Sequence, residues 1–333
     1  MTERPYHQLY ASGELKRRVQ ILQERLRSCR VCPRHCDADR WNEIEGFCKS
    51  GRNPLVASSV AHFGEEPVLV GKHGAGNIFF ASCNLRCVYC QNWQISHPPA
   101  GKRLHEVTCE ELADKMIALQ NQGCHNINFV SPSHFVAQML EAIEIAVAKG
   151  LHVPLVYNTN AYDDLETLKL LDGVIDIYLP DLKYSDDLLG LKYSQARSYV
   201  EISRQAVQEM FRQVGLLETD EQGLAKRGLI VRHLILPHDL AGSESTLKFL
   251  AEEVSRYVNV SLMSQYYPTN KAEKISKLSR KINQAEYDFA VTMLEKYRLE
   301  EGYWQEFESS EVYRPDFNRE RPFDNRELGL SIA

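Results

Sequence analysis

The chain has 333 residues, of which 44% are hydrophobic and 25% are charged, and its formal net charge is −6. This composition predicts a soluble globular protein large enough for one α/β barrel with appendages, with no membrane span. A net negative charge without a basic block argues against nucleic-acid binding. The N-terminal residues lack a signal-peptide pattern, so we expect a cytoplasmic protein, whose nine cysteines then indicate metal binding rather than disulfides.

The first sixty residues differ in sequence pattern from the rest of the chain. Residues 13–27 carry apolar side chains at nearly helical spacing, and four cysteines follow within twenty residues. They are Cys29, Cys32, Cys36 and Cys48. Their spacing suits a closed zinc site loosely and an iron–sulfur cluster about as well. Residues 1–60 are therefore predicted to be a Cys-rich segment with a candidate second metal site. The alternative is buried or free thiols, with His35 as a bystander.

A second cysteine motif follows the first clear strand, predicted at residues 77–81. Cys83, Cys87 and Cys90 form a CxxxCxxC loop. Cysteine thiolates are the usual ligands of iron–sulfur clusters, and three of them leave one iron of a [4Fe–4S] cluster open. An open coordination position is typical of a metal centre that takes part in chemistry. A zinc knuckle would need a fourth ligand nearby, and buried structural thiols rarely cluster at a strand end.

From residue 68 onward, short β-rich runs alternate with helical ones, which predicts parallel strands joined by right-handed crossovers. The strand predictions are residues 77–81, 126–130, 153–158, 174–179, 229–236 and 258–263. A capping box at Thr108 and Glu111 predicts one helix start, and another helix is predicted at 134–149. Six strand–helix units are too few to close an eight-stranded barrel, so residues 61–298 are expected to form one α/β domain with a parallel sheet, followed by a C-terminal tail at 299–333.

Polar side chains follow these strands, at the edge where active sites of such barrels lie. Ser131, Ser133 and His134 follow the second strand; Ser133 either contacts a ligand or caps the next helix, and a lone histidine is more often part of the scaffold. The later strands contribute Asn158, Asn160, Asp181, Lys183, Arg232, Gln265 and Tyr266. Strand alternation places Asp181 and Lys183 on one face, where they hold a zwitterionic ligand or form an ordinary ion pair.

These motifs resemble the radical S-adenosylmethionine (SAM) superfamily, in particular homologues of pyruvate formate-lyase activating enzyme. The resemblance covers about residues 25–320. The strings that carry it are Cys87-Val-Tyr-Cys-Gln-Asn92, Asn126-Ile-Asn-Phe-Val-Ser-Pro-Ser-His134, Val174-Ile-Asp-Ile-Tyr-Leu-Pro-Asp-Leu-Lys183, Arg232-His-Leu-Ile-Leu-Pro237 and Tyr313-Arg-Pro-Asp-Phe317. It implies a (βα)6 partial TIM-like barrel, a [4Fe–4S] cluster on the three loop cysteines, and SAM bound to the open iron.

The resemblance also implies cofactor-binding roles for particular residues. Tyr89 and Asn92 complete the cluster motif, and Ser131 and Ser133 replace the Gly-Gly-Glu run that holds the SAM amino group in glycyl-radical activases. The remaining candidates for SAM contact are Asn158, Asn160, Asp181, Lys183, Arg232 and Gln265. Of these, Asp181 and Lys183 are expected at the polar end of SAM and Arg232 at its carboxylate. No residue is assigned a catalytic role.

The resemblance implies reductive cleavage of SAM to a 5′-deoxyadenosyl radical, which removes hydrogen from an unidentified protein or small molecule. A flavodoxin or a ferredoxin-type protein is the expected reductant. Two alternatives remain: a true glycyl-radical enzyme activase, and a noncatalytic iron–sulfur or zinc carrier or sensor on the same scaffold. The noncatalytic alternative predicts that SAM is not bound.

Overall fold

A computed structural model describes residues 3–97, 106–307, 309, 315–317, 319, 322 and 323. Strands β1 to β9 span Val56–His62, Ala75–Phe80, Ile127–Val130, Leu155–Thr159, Ile177–Pro180, Glu218–Thr219, Ala225–Leu234, Asn259–Met263 and Gly302–Trp304. Helices α1 to α11 span Pro5–Ala11, Glu14–Glu24, Pro67–Val70, Trp93–Ser96, Cys109–Asn121, Val136–Ala148, Leu165–Lys169, Asp187–Ser194, Tyr199–Val214, Ser243–Phe249 and Gln284–Lys296. Among the helices that the structure describes, none combines the length and the apolar character needed to cross a bilayer.

The chain forms two compact units. The first contains the described residues of 1–84, 99–180 and 202–229, and the second those of 85–98, 181–201 and 230–333. In the first unit, the strands pair in the order β1-β2-β3-β4-β5-β7, parallel from β2 onward, with β1 antiparallel to β2. In the second unit, the C-terminal half of β7 pairs in parallel with β8, and β8 with β9.

The six predicted strands are all present, and the predicted α/β class with a parallel sheet is confirmed. Every residue of β2 is buried, as expected for a parallel strand covered on both faces. The capping box is also confirmed: Thr108 Oγ1 accepts the Glu111 backbone N–H at 3.1 Å, and Glu111 accepts that of Thr108 at 2.7 Å. The structure adds three strands that were not predicted, β1, β6 and β9. They are short or paired at an edge, and their sequences show no clear alternation of apolar and polar residues.

Part of the predicted tail lies outside the described residues, including Tyr313 and Arg314 of the last motif string. The end of that string is described and is anchored to the cluster loop's helix α4. Gln94 Nε2 donates to Asp316 Oδ1 at 2.9 Å, and the backbone N–H of Phe317 donates to Gln94 Oε1 at 2.9 Å. The string Pro-Asp-Phe therefore pairs with a residue four positions after Cys90.

Candidate active site

The loop that follows β2 places Cys83 among buried amides of the first unit. Asn160, directly after β4, donates from Nδ2 to Cys83 Sγ at 3.5 Å and to Asn84 Oδ1 at 2.8 Å. Asn84 in turn donates to the carbonyl of Tyr162 at 2.7 Å. The sequence assigned Asn160 to SAM recognition, whereas its amide lies against the cysteine loop.

The other two loop cysteines have hydroxyl partners within the second unit. Ser194, the last residue of α8, donates to Cys87 Sγ at 2.9 Å, and Ser96 Oγ lies 3.1 Å from Cys90 Sγ. Burial raises the pKa of the Cys87 thiol, against the opposing effects of Lys183 and Ser194. Every thiol of the motif thus has a polar hydrogen-bond partner, the environment that thiolate ligands of an iron–sulfur cluster require.

Tyr89, between the last two cysteines, is an aromatic packing residue. Its ring is buried and meets Tyr184 and Tyr266 edge-on, with centroids 6.3 and 5.9 Å apart. The hydroxyl of Tyr266 donates to the carbonyl of Leu278 at 2.7 Å. These contacts stabilise the loop through aromatic packing, and the Tyr266 hydroxyl is already hydrogen-bonded to the backbone.

Two cations share one carboxylate after β5. Asp181 Oδ1 accepts from Arg232 Nε at 2.6 Å, and Asp181 Oδ2 from Lys183 Nζ at 2.8 Å. The three side chains are only 14–19% exposed, so the group is largely buried. Burial disfavours the Asp181 carboxylate, but Arg232 and Lys183 outweigh it and lower its pKa. The triad has a net charge of +1, which favours an anionic ligand group.

A residue that the sequence did not indicate holds this triad in place. The buried hydroxyl of Tyr199 donates to the carbonyl of Asp181 at 2.9 Å and accepts the backbone N–H of Lys183 at 3.0 Å. Lys183 and Asp181 are also close enough to Cys87 to affect the pKa of its thiol. The charged triad and Cys87 therefore belong to one neighbourhood of the second unit.

The serine run after β3 joins a buried network at the end of β4. Ser133 Oγ lies 3.1 Å from Thr159 Oγ1, which donates to Asp163 Oδ2 at 2.6 Å, and Tyr157 donates to Asp163 Oδ1 at 2.9 Å. Burial raises the pKa of Asp163. Helix α6 has Phe135 at its N-cap without a side-chain cap, so Ser133 does not serve as the helix cap.

Ser131 and His134 also contact residues outside their own loop. Ser131 adopts a left-handed φ of 58°, and its N–H donates to the carbonyl of Asn158 at 2.8 Å. His134 Nε2 lies 3.0 Å from the carbonyl of Ala81, and its own carbonyl accepts from Arg40 at 2.6 Å. His134 is buried, with its ring against the Ala81 carbonyl and its own carbonyl bound by the Arg40 side chain, an arrangement typical of a scaffold histidine.

A carboxylate from the loop before α3 meets three asparagines on strands β2, β3 and β4. Glu65 Oε1 accepts from Nδ2 of Asn77 at 2.8 Å, of Asn128 at 3.2 Å and of Asn158 at 3.5 Å. Asn77 and Asn128 are register partners on β2 and β3 and are fully buried. The sequence analysis missed all but Asn158, although an asparagine inside an otherwise apolar strand is itself a signal, because burying an amide costs free energy unless it is paired.

Gln265 connects the end of β8 to its neighbours. Its carbonyl accepts from Gln91 of the cysteine loop at 3.2 Å, and its side-chain oxygen accepts from Gln305 at 3.0 Å. Asn92, the remaining predicted residue, is half-buried at the start of α4 and makes no side-chain cap. Both residues therefore border the loop that carries Cys90.

The part of the chain that the structure describes contains no ready-made metal site of three or more Cys, His, Asp or Glu side chains. Residues 77–215 match the sequence model of the radical SAM superfamily. A relative from Methanocaldococcus jannaschii, uncharacterized protein MJ0674, is 30% identical over 290 residues, which cover 85% of this chain and 79% of the relative. The chain belongs to the radical SAM superfamily.

Other proteins show more partial similarity. Uncharacterized protein MJ0808 of the same archaeon is 28% identical over 177 residues, covering 48% of this chain and 50% of that protein. A crystal structure of HydG, a maturase of the [FeFe]-hydrogenase, matches with a TM-score of 0.47 and 13% identity over 68% of this chain and 50% of that one. Methylornithine synthase (PylB) matches with a TM-score of 0.45 and 15% identity over 76% of this chain and 77% of that one.

Membership has direct chemical consequences. Radical SAM proteins are enzymes that use a [4Fe–4S] cluster and SAM and that need a reductant. The thiols of the CxxxCxxC loop suit such a cluster, since each has a hydrogen-bond partner that would also stabilise the thiolate.

Proposed function

We propose that this protein binds a [4Fe–4S] cluster through Cys83, Cys87 and Cys90 and takes SAM at the remaining iron. When bound, the cluster supplies the electron that cleaves SAM to methionine and a 5′-deoxyadenosyl radical. The observation that carries the proposal is the buried charged triad beside Cys87, because two cysteines of the family motif, Cys87 and Cys90, and a site for a zwitterionic ligand occur together in the second unit.

The triad residues bind and orient the amino-acid end of SAM. Lys183 and Arg232 attract its carboxylate, and Asp181 accepts hydrogen bonds from its ammonium. Tyr199 fixes the backbone at Asp181 and Lys183, so that the two charged side chains stay side by side. Ser131, Ser133, Asn158 and Gln265 are proposed to contact the rest of SAM, while Tyr89 and Asn92 shape the cysteine loop.

The hydroxyl and amide groups that are hydrogen-bonded to the thiols also affect the reduction potential of the cluster. A hydrogen bond to a cluster thiolate lowers its negative charge and raises the reduction potential. The groups that make this hydrogen bond are Asn160 at Cys83, Ser194 at Cys87 and Ser96 at Cys90. We therefore assign Asn160 to the cluster rather than to SAM.

The hydrogen donor is a protein or a small molecule, and a flavodoxin or a ferredoxin-type protein is the proposed electron source. The loop after β3 reads Ser-Pro-Ser where glycyl-radical activases have Gly-Gly-Glu. The Ser133 hydroxyl lies against Thr159 and the Ser131 backbone N–H donates to the carbonyl of Asn158, so the amino group of SAM would be held differently from the way it is held in those activases.

The test is SAM cleavage by anaerobically reconstituted, dithionite-reduced protein, followed by chromatographic detection of 5′-deoxyadenosine. We expect its formation without added substrate, at a low rate. Protein with a confirmed cluster content that neither binds SAM nor forms 5′-deoxyadenosine would instead support a noncatalytic carrier or sensor. Unreduced protein and a Cys124→Ala variant, which alters a buried thiol outside both cysteine loops, are the controls.

A further inference from the structure

Within the second unit, the cysteine loop lies between two surface segments. The N–H of Val88, inside the loop, donates to the carbonyl of Tyr193 at 2.8 Å, and the carbonyl of Val88 accepts the N–H of Ala272 at 3.0 Å. Tyr193 belongs to α8, and Ala272 belongs to a short 3₁₀ helix at Asn270–Lys274. A molecule bound to the exposed side chains of these two segments would therefore lie beside the cysteine loop.

Three lysines cover the second of these segments. Lys271, Lys274 and Lys277 are exposed, and within the described part of the chain no carboxylate pairs with them. A 3₁₀ helix has three residues per turn, so Lys271 and Lys274 lie on the same side of it. Glu273 is the one acidic residue in 270–279, so three lysines and one glutamate give this stretch a net charge of +2. The stretch is therefore positive on a chain whose net charge is −6.

These lysines extend from an anchored backbone. Ala272 and Leu278 are fully buried, so the stretch is fixed near both ends. Its positive charge reaches the end of α4, because burial, Arg86 and Lys271 together lower the pKa of His97 to about 4. A fixed set of charges loses little conformational freedom when a partner binds, which favours recognition.

Exposed apolar side chains lie on the other elements that contact the loop. Leu188 and Leu191 of α8 are 75% and 45% exposed, and their spacing of three residues places them on one face of the helix. Trp93, whose N–H donates to the carbonyl of Cys90 at 3.2 Å, is 41% exposed. Apolar and aromatic anchors accompanied by charged residues are typical of surfaces that bind another protein.

We propose that these residues form a docking surface for a small acidic electron-transfer protein, an inference that rests on the proposed function. The docking surface consists of Trp93, Leu188, Leu191, Lys271, Lys274 and Lys277. The lysines attract and orient an acidic partner, which the net negative charge of the chain repels elsewhere. Cys90 is less buried than the other two loop cysteines, so the partner would approach the accessible side of the loop. The partner is oxidised by one electron, which reduces the cluster.

The test compares two reductants on anaerobically reconstituted full-length protein. Dithionite reduces the cluster without docking, whereas the hydroquinone form of an acidic flavodoxin has to dock. In the variant with Lys271, Lys274 and Lys277 all changed to glutamate, we expect the ratio of flavodoxin-driven to dithionite-driven 5′-deoxyadenosine formation to fall about tenfold or more at low ionic strength. The control makes the same change in net charge at three other exposed lysines, which are Lys16, Lys226 and Lys248.

The ratio should stay within about twofold in the control variant, because steering depends on where the charges lie. An equal loss in both triple variants, or a loss in neither, would overturn the docking surface. If the unaltered protein forms no 5′-deoxyadenosine even with dithionite, the proposed SAM chemistry fails instead, and the docking surface is then decided by binding alone.

Surface plasmon resonance measures that binding without turnover. The Kd for flavodoxin should rise about tenfold or more in the variant that lacks the three docking lysines, and its dependence on salt should weaken. Leu188→Ser combined with Leu191→Ser should weaken binding and leave the salt dependence as it was, whereas Leu216→Ser, at an exposed leucine of the first unit, should change neither. Should the lysine variant fail to fold, the unaltered protein decides the question, since a Kd that does not depend on ionic strength would contradict the docking surface.

Discussion

The two cysteine loops, residues 29–48 and 83–90, hold their thiols in different ways. In the first, Arg40 Nη1 lies 3.9 Å from Cys29 Sγ, and the sulfur of Cys36 lies against the backbone of Gly46. In the second, the partners are side chains: Asn160 after β4, Ser194 in α8 and Ser96 in α4. The described contacts of the first loop's sulfurs therefore come from its own segment. A loop whose thiols depend on several barrel elements suits a cluster whose reactivity the barrel controls.

The largest effect is expected for Cys87→Ala, which removes one thiol of the second loop. We expect 5′-deoxyadenosine formation to fall below detection, because a cluster with two protein ligands neither holds its iron nor presents SAM. Cleavage that survives in a variant with confirmed cluster content would show that the second loop is not the catalytic one.

The charged triad should show the next largest effect. Asp181→Asn leaves two largely buried cations without their carboxylate, and Lys183→Met removes one of the two cations proposed to attract the carboxylate of SAM. We expect each change to weaken SAM binding by about 2 kcal/mol, or about 30-fold in Kd. Isothermal titration calorimetry on cluster-loaded protein measures this directly. Glu166→Gln is the matched control, since it breaks an exposed ion pair with Lys169 and should leave SAM affinity unchanged.

The same triad predicts a pH dependence of stability. The folded protein has a lowered pKa at Asp181, because Arg232 and Lys183 outweigh its burial. Its stabilising contribution is therefore complete above the usual aspartate pKa of about 3.9 and is lost as the pH falls through the lowered value. The difference in unfolding free energy between the unaltered protein and Asp181→Asn should be constant near neutral pH and shrink below about pH 4. A difference that grows on acidification would contradict this sign.

Asn160→Ala should have the smallest effect. The cluster should assemble, SAM cleavage should slow by a few-fold, and the reduction potential should fall because Cys83 loses an N–H donor. Electrochemical titration followed by electron paramagnetic resonance measures the shift. If the potential stays constant while SAM affinity drops instead, Asn160 serves SAM, as its position after β4 first suggested.

The structure also shows which features are set by neighbouring residues and which depend on residues far apart in the sequence. The CxxxCxxC spacing, the six parallel strands and the Thr108 capping box are encoded in neighbouring residues, so the sequence predicts them well. Strand β9 has three residues and β1 pairs antiparallel with β2, and neither carries a strong periodic pattern. The juxtaposition of Asp181 and Lys183 was expected from strand alternation, since they lie two residues apart.

By itself, the sequence determined the α/β class, the superfamily and the cysteines of both loops, because spacing along the chain and apolar periodicity are local properties. Tertiary structure decided which partner each polar group takes: Asn160 on Cys83, Ser133 beside Thr159, and Arg40 on the carbonyl of His134. Such pairs join residues that are up to 94 positions apart in the case of Arg40 and His134. Only the folded sheet brings them together, because a buried polar group takes whichever partner the packing of distant elements supplies.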